Sequence, residues 1–119
     1  MSRTVTLTVE RFTDPDWEYE IKIDEPTLTV VTKNDPDRGR DLDSVVFVND
    51  SAYGLVVAMD DENNPFTRDR YEIPANQQEP ALFRTLVFQR TYSYGVSAVE
   101  KPNIKPGSAD IDVVADTEP

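Results

Sequence analysis

The sequence predicts an all-β protein built as one sandwich of about eight or nine short strands. Apolar and polar residues alternate with a period of two in several segments, which is typical of strands with one buried face. No segment sustains a helical period, and the nine prolines fall almost wholly between the strand candidates. A chain of 119 residues is about one domain long, so we predict a single domain over 1–115 and a flexible acidic tail over 116–119.

The first two strand candidates lie at 4–12 and 17–23, on either side of the turn-forming residues "TDPD". In the first candidate, Val5, Leu7 and Val9 share one face and threonines occupy most of the other. In the second, aromatic and isoleucine side chains alternate with charged ones. Both patterns predict half-buried strands.

The middle of the chain contains runs that are apolar on both parities, which indicates central strands buried on two faces. These runs are "TLTVVTK", "SVVFVN" and "YGLVVAMD"; a short strand candidate, "RYEIP", and a predicted loop, "ANQQEPA", follow them. The last strand candidates are "LFRTLVFQ", "YSYGVSAV" and "ADIDVVAD". We expect "TVTLTVERF" or "ADIDVVAD" to form an exposed sheet edge, where unpaired backbone groups can bind a partner strand.

The order of the strands over 44–115 resembles that of the cupredoxin family. The resemblance rests on a strand that ends in Val48-Asn49, a strand at 53–59, the segment Ile73-Pro74-Ala75, the strand Tyr92-Ser93-Tyr94 and a closing strand at 111–114. It implies a Greek-key β-sandwich of the cupredoxin or immunoglobulin-like type, which the first three strands fit by their period. Because β-sandwiches share such patterns without sharing a function, the resemblance implies a fold and not an activity.

Cupredoxins that carry copper bind it through two histidines, a cysteine and usually a methionine. In this sequence the cysteine position falls on Val96, the downstream histidine falls at or near Val99, and the loop "EKPNIKPGSA" contains no methionine. The whole chain has neither cysteine nor histidine. Since blue-copper geometry requires thiolate and imidazole ligands, we predict a cupredoxin-like domain that lacks the copper site.

The composition argues against several other functions. Without cysteine or histidine, the chain lacks thiol nucleophiles, thiolate metal sites and the commonest general base. Its formal net charge of −11 disfavours binding to nucleic acids or anionic membranes. No nucleophile elbow, phosphate loop or zinc motif occurs, so we predict a protein that is not an enzyme and needs no cofactor. The N-terminus lacks a secretory signal pattern, which predicts a soluble, cytoplasmic protein if Met1 is native.

Two acidic segments are candidate calcium sites. The first, at 34–43, carries Asp35, Asp37, Asp41 and Asp43, and the second, at 60–64, begins with Asp60 and Asp61. Carboxylates suit calcium, but the spacing does not match an EF-hand, and Arg38 and Arg40 oppose a cation in the first segment. We therefore interpret both segments as solvated turns. A calcium-stabilised structural domain is the alternative, and the meeting of the two segments in space would support it.

The function that the sequence favours is a non-catalytic, metal-free binding or protein-interaction module of unknown ligand. Most aromatic residues fall on the apolar parity of their strands, which predicts packing in the core. Tyr53 and Phe66 lie near loop edges, and we predict that they form an interaction surface. This surface would bind a protein partner or a second copy of the chain.

Overall fold

A computed structural model describes residues 2–35, 39–42, 44–60, 62–83, 89–99 and 103–115. Within these residues, eleven strands form and no helix is present: β1 Ser2–Arg11, β2 Tyr19–Ile23, β3 Thr27–Asp35, β4 Gly39–Leu42, β5 Ser44–Asn49, β6 Leu55–Met59, β7 Arg70–Ile73, β8 Gln78–Ala81, β9 Thr91–Ala98, β10 Ile104–Lys105 and β11 Gly107–Ala115. Since the described residues form strands and turns, they include no helix that could span a membrane. The predicted tail at 116–119 and most of the strand candidate "LFRTLVFQ" lie outside the described residues.

The strands form two mixed sheets. One has the order β10-β2-β1-β5-β8, and the other has the order β4-β3-β11-β9-β6-β7. β1 runs parallel to β5 in the first sheet, and β3 runs parallel to β11 in the second. Parallel neighbours require a crossover, and the chain between β1 and β5 makes it by passing through β3 and β4 of the other sheet. This arrangement confirms the predicted all-β architecture of two sheets in the described part of the chain.

The core lies between the two sheets and follows the predicted alternation. In β1, Val5 and Leu7 are fully buried, and in β9 every second residue from Tyr92 to Val96 is buried. Phe47 of β5 is the centre of an aromatic cluster that joins the sheets. Its ring centroid lies 5.6 Å from that of Tyr94 in β9 and 6.2 Å from those of Phe66 and Tyr71. The contacts with Tyr94 and Phe66 are edge-to-face, which adds specific geometry to ordinary apolar burial.

The sheet edges differ from those that the sequence predicts. β1 lies between β2 and β5, and β11 lies between β3 and β9, so the prediction that one of them is an exposed edge is wrong. Among the described strands, β10 and β8 bound one sheet, and β4 and β7 bound the other. Apolar alternation reports which face of a strand is buried, and it carries no information on how many neighbours the strand has.

Strand β8 forms where the sequence predicts a loop. Its third residue is Pro80, which pairs opposite Val46 of β5. Proline has no N–H to donate, so it is tolerated in a strand at a sheet edge, and β8 is an edge. The turn before β8 contains Asn76 at a φ of 59°, and asparagine adopts this left-handed conformation more readily than most residues.

Tyr94 buries a polar group in the middle of this core. Its ring is fully buried, and its hydroxyl has no hydrogen-bond partner among the described residues. Burial raises the pKa of the Tyr94 hydroxyl well above its usual value, and the carboxylates of Asp24 and Asp110 raise it further. The folded state therefore holds Tyr94 in its neutral form, while the unfolded chain ionises near the usual pKa of about 10.

We expect Tyr94→Phe to leave stability at pH 7 unchanged or to raise it by up to about 1 kcal/mol, because the substitution removes an unpaired buried hydroxyl. The wild type should lose stability as the pH rises above about 10, because the unfolded chain then releases the tyrosine proton and the folded state does not. For each further pH unit, the free energy of unfolding should fall by up to about 1.4 kcal/mol less in Tyr94→Phe than in the wild type. The pKa of Tyr71 is also raised by burial, so part of the alkaline decline should persist in the variant. Urea titrations of the wild type and of Tyr94→Phe, at pH 7 and above about pH 10, test this prediction. A large loss of stability in the variant at pH 7 would contradict it.

Candidate functional site

The first acidic segment is largely a β-hairpin and not the connecting turn that the sequence predicts. β3 continues to Asp35, and β4 pairs with it antiparallel, with Asp35 opposite Gly39 and Lys33 opposite Asp41. β4 is one of the two edge strands of the six-stranded sheet. Asp37, Asp43 and Asp61 lie outside the described residues.

Strand register separates the two acidic segments. The Asp60 N–H donates to the Ser93 carbonyl oxygen, and Ser93 pairs with Asp110 of β11, which in turn pairs with Thr27 of β3. Asp60 is therefore level with the start of β3, whereas Asp35 lies at its end. At about 3.3 Å per residue, the two aspartates are about 26 Å apart along the strand direction.

This separation removes the structural argument for a calcium site that the two segments would share. In the described part of the chain, no three acidic side chains are grouped in a way that could hold a metal ion. Calcium binding by either segment alone stays the untested alternative to the interpretation of both as solvated turns.

Phe66 does not contribute to a surface. It is fully buried, its ring packs 5.1 Å from Phe83 and 6.2 Å from Tyr71, and it forms an isolated β-bridge with Phe83. The buried Asn64 fixes the local turn by accepting a hydrogen bond from the Phe66 N–H at 2.9 Å. The prediction that Phe66 forms an interaction surface is therefore wrong, because tertiary packing draws this polar connection onto the aromatic cluster.

Tyr53 lies at the edge of a surface groove of about 510 Å³. The groove is bounded by residues 52–54 before β6 and Leu55 at its start, by 72–75 at the end of β7, and by Val99 after β9. The residues that line it are mostly apolar: Ala52, Tyr53, Leu55, Ile73, Pro74, Ala75 and Val99, with Glu72 as the charged member; the side chains of Leu55 and Ile73 are buried in the core. Concave sites with an apolar lining and few polar groups are typical of ligand-binding sites.

Val99 gives this groove an exposed apolar wall. It is 52% exposed, and only Leu82 is comparable among the large apolar side chains that the structure describes. The Val99 N–H donates to the Gly54 carbonyl oxygen at 3.0 Å, which fixes the end of β9 beside the segment that carries Tyr53. The Tyr53 ring is half-buried and lies 6.2 Å from the ring of Tyr19 in β2. Two walls of the groove are therefore held in place by contacts from neighbouring strands.

Asn49 is the residue that joins the segments around the groove. Its side chain is fully buried at the end of β5, and its Nδ2 donates to the carbonyl oxygens of Tyr53 at 2.7 Å, Ile73 at 2.9 Å and Pro74 at 3.2 Å. Its Oδ1 accepts a hydrogen bond from the Ser51 hydroxyl at 2.6 Å. One amide thus ties the segment before β6 to the end of β7.

The sequence analysis did not identify this role of Asn49. A signal was present, because an amide residue ends the apolar run "SVVFVN" and is followed by the hydrogen-bonding residues Asp50 and Ser51. The carbonyl groups that Asn49 satisfies, however, lie up to 25 residues away along the chain. Sequence order does not reveal such long-range partners.

The positions on which the resemblance places copper ligands now have definite locations. Val96 is fully buried in β9, opposite Gly107 of β11 and Val57 of β6. Val99 lies three residues further on, at the wall of the groove. The groove therefore lies beside the position where the resemblance would place a metal-binding histidine.

Comparison with known proteins identifies structural neighbours and no sequence family. No protein-family model matches the chain, and no curated protein matches it. The McoA multicopper oxidase of the hyperthermophile Aquifex aeolicus is similar at a TM-score of 0.48 and 16% identity, over 95% of this chain and 27% of that one. Its 2F4 variant gives 0.47 and 16% over 94% and 26%, and Lac15 from a marine microbial metagenome gives 0.46 and 12% over 98% and 32%. The chain thus spans about a quarter to a third of these proteins.

Proposed function

We propose that this protein is a non-catalytic, metal-free binding module, and that the groove beside Tyr53 and Val99 holds an apolar side chain of a protein partner. The observation that carries the proposal is the exposed Val99 side chain at the wall of a concave, mostly apolar surface. Burying such a side chain on binding contributes favourable free energy, because apolar surface leaves water. A cytoplasmic location stays a prediction.

The hydrogen bonds around the groove support a binding role. Asn49 and the backbone bond from Val99 to Gly54 hold its walls before any ligand arrives. A preformed site loses little conformational entropy when it binds, so even a small contact area can give measurable affinity. The residues that line the groove are mostly apolar with one carboxylate, a composition that supports a binding role.

The experiment is affinity capture from native lysate with three baits: the wild type, Val99→Asn and Leu82→Asn. Val99 and Leu82 are both large, exposed and apolar, but only Val99 lines the groove. We expect a partner that the wild type and Leu82→Asn retain and that Val99→Asn loses. Loss with both variants would indicate a non-specific apolar contact, and retention by both would contradict the groove as the binding site. Circular dichroism of each bait confirms that it is folded.

A further inference from the structure

We propose that the partner is a cationic protein segment that places an aliphatic side chain in the groove and a neighbouring lysine or arginine beside Glu72. This inference rests on the proposed function, because it names the chemistry of the partner for the same groove. It is carried by the charges on and around the groove, which are independent of its apolar lining.

Glu72 is the charged residue of the groove, and no lysine or arginine is among the described residues that line it. The Glu72 side chain is 69% exposed. Its carboxylate lies 3.6 Å from the guanidinium of Arg70, whose side chain is 63% exposed. Because exposed pairs of this kind are weak, the Glu72 carboxylate is available to a second cation.

Two further carboxylates lie on segments that adjoin the groove. Asp50 is exposed between Asn49 and Ser51, directly before the residues that form one wall. Glu18 is exposed next to Tyr19, the residue whose ring packs against Tyr53. Glu72 is thus the carboxylate that lines the groove, and Asp50 and Glu18 are neighbours in sequence of residues that line or contact it.

The net charge of the whole chain also favours a cationic partner. A formal net charge of −11 attracts a cationic segment over distances longer than any single contact and repels an acidic one. The apolar groove then supplies the short-range contact, since a solvated charge alone gives little affinity at physiological salt. The long-range attraction between charges and the short-range apolar contact together favour a segment in which aliphatic and basic residues are neighbours.

The test uses three capped peptides, Gly-Lys-Leu-Lys-Gly, Gly-Ser-Leu-Ser-Gly and Gly-Glu-Leu-Glu-Gly, titrated into the full chain and followed by two-dimensional amide NMR. We expect shifts at Gly54, Ile73 and Val99, with the lysine peptide binding at least about threefold more tightly than the serine peptide in about 20 mM salt. In about 300 mM salt, this difference should largely vanish, because exposed charges are then screened. The glutamate peptide should bind most weakly.

Glu72→Gln should raise the Kd of the lysine peptide by about two- to fivefold and leave that of the serine peptide unchanged. Glu25→Gln is the matched control, because Glu25 is an exposed glutamate beyond the other end of β2 and makes the same change in net charge. Equal binding of all three peptides at the groove would overturn the preference for a cation and leave the proposed function intact. A failure of every peptide to shift Gly54 and Val99 would overturn both.

Discussion

Phe47→Ala should lower the free energy of unfolding by about 4 kcal/mol, within the range of about 3–5 kcal/mol for removing a fully buried phenylalanine ring. Phe47 is completely buried, and its ring meets Phe66, Tyr71 and Tyr94 at centroid distances of 5.6–6.2 Å. The cavity would open where the two sheets face each other, so neither sheet can close it by a local shift. The loss should be measured by urea unfolding, followed by circular dichroism and by the fluorescence of the single tryptophan, Trp17.

The matched control is Phe12→Ala. Phe12 is half-buried just after β1 and has the Lys105 ammonium 5.1 Å from its ring centroid, so its removal should cost about 1 kcal/mol or less. Small domains are stable by only about 5–15 kcal/mol, so Phe47→Ala can leave the chain unfolded. In that case Phe47→Leu replaces it, because the expected loss of about 1–2 kcal/mol can still be measured. Equal losses for Phe47→Ala and Phe12→Ala would contradict a core centred on Phe47.

The same aromatic cluster indicates how far a sequence of this kind can be interpreted. Tyr94 lies on the apolar parity of a clear strand pattern, and Phe47 lies in a run that is apolar on both parities; both are buried, as the sequence predicts. Phe66 lies in the polar stretch "NNPFTRD", where local composition indicates a surface turn. Its burial depends on the buried Asn64 and on a bridge to Phe83, which lies 17 positions further along the chain, and no local pattern encodes that pairing.

Strand neighbours were harder to predict than strands. The alternating pattern of β1 identifies its buried face, but the partners on either side depend on a parallel pairing with β5 that begins at Ser2 and Ser44. The acidic segment at 34–43 shows the same limit, because aspartate, asparagine and glycine are typical of turns, and only the pairing of β3 with β4 makes it a hairpin. Register also decided whether the acidic segments meet, and register is a property of the assembled sheet.

The groove itself was not predicted from the sequence. Tyr53 was expected near a surface site because it lies at the edge of a loop, and it does line the groove. Val99 and Ile73 were noted only through the family resemblance, and Asn49 only as the last residue of a strand. These residues come together because loops from three different strands meet at one end of the sandwich, which local sequence does not specify.

Asn49→Asp should be among the most destabilising single-atom changes in this chain, at about 3–5 kcal/mol near pH 7. The substitution replaces the Nδ2 donor, which serves three carbonyl oxygens, by an oxygen that repels them. A charged carboxylate at a fully buried position also loses its hydration, so the pKa of the new aspartate should rise in the folded state. Asn103→Asp is the control, because the amide of Asn103 makes an exposed hydrogen bond to Glu18, and its loss should cost less than about 1 kcal/mol.

The pH dependence separates a lost hydrogen-bond donor from a simple packing defect. With a raised folded-state pKa, the stability of Asn49→Asp relative to the wild type should be greatest below about pH 4, where both states are protonated, and should fall as the pH rises towards the folded-state value. The introduced carboxyl group, when protonated, can donate one hydrogen bond, so part of the lost stability should be recovered in acid. Asn49→Ala should instead show a loss of stability that does not depend on pH.

Both variants should also weaken peptide binding at the groove, because the carbonyls of Tyr53, Ile73 and Pro74 would no longer be held together. Urea titrations of the two variants and the wild type between pH 4 and pH 8 test the expected pH dependence of stability. Because aspartate keeps the volume of asparagine, a loss in Asn49→Ala with little loss in Asn49→Asp would show that the amide acts through its volume and not through its hydrogen bonds.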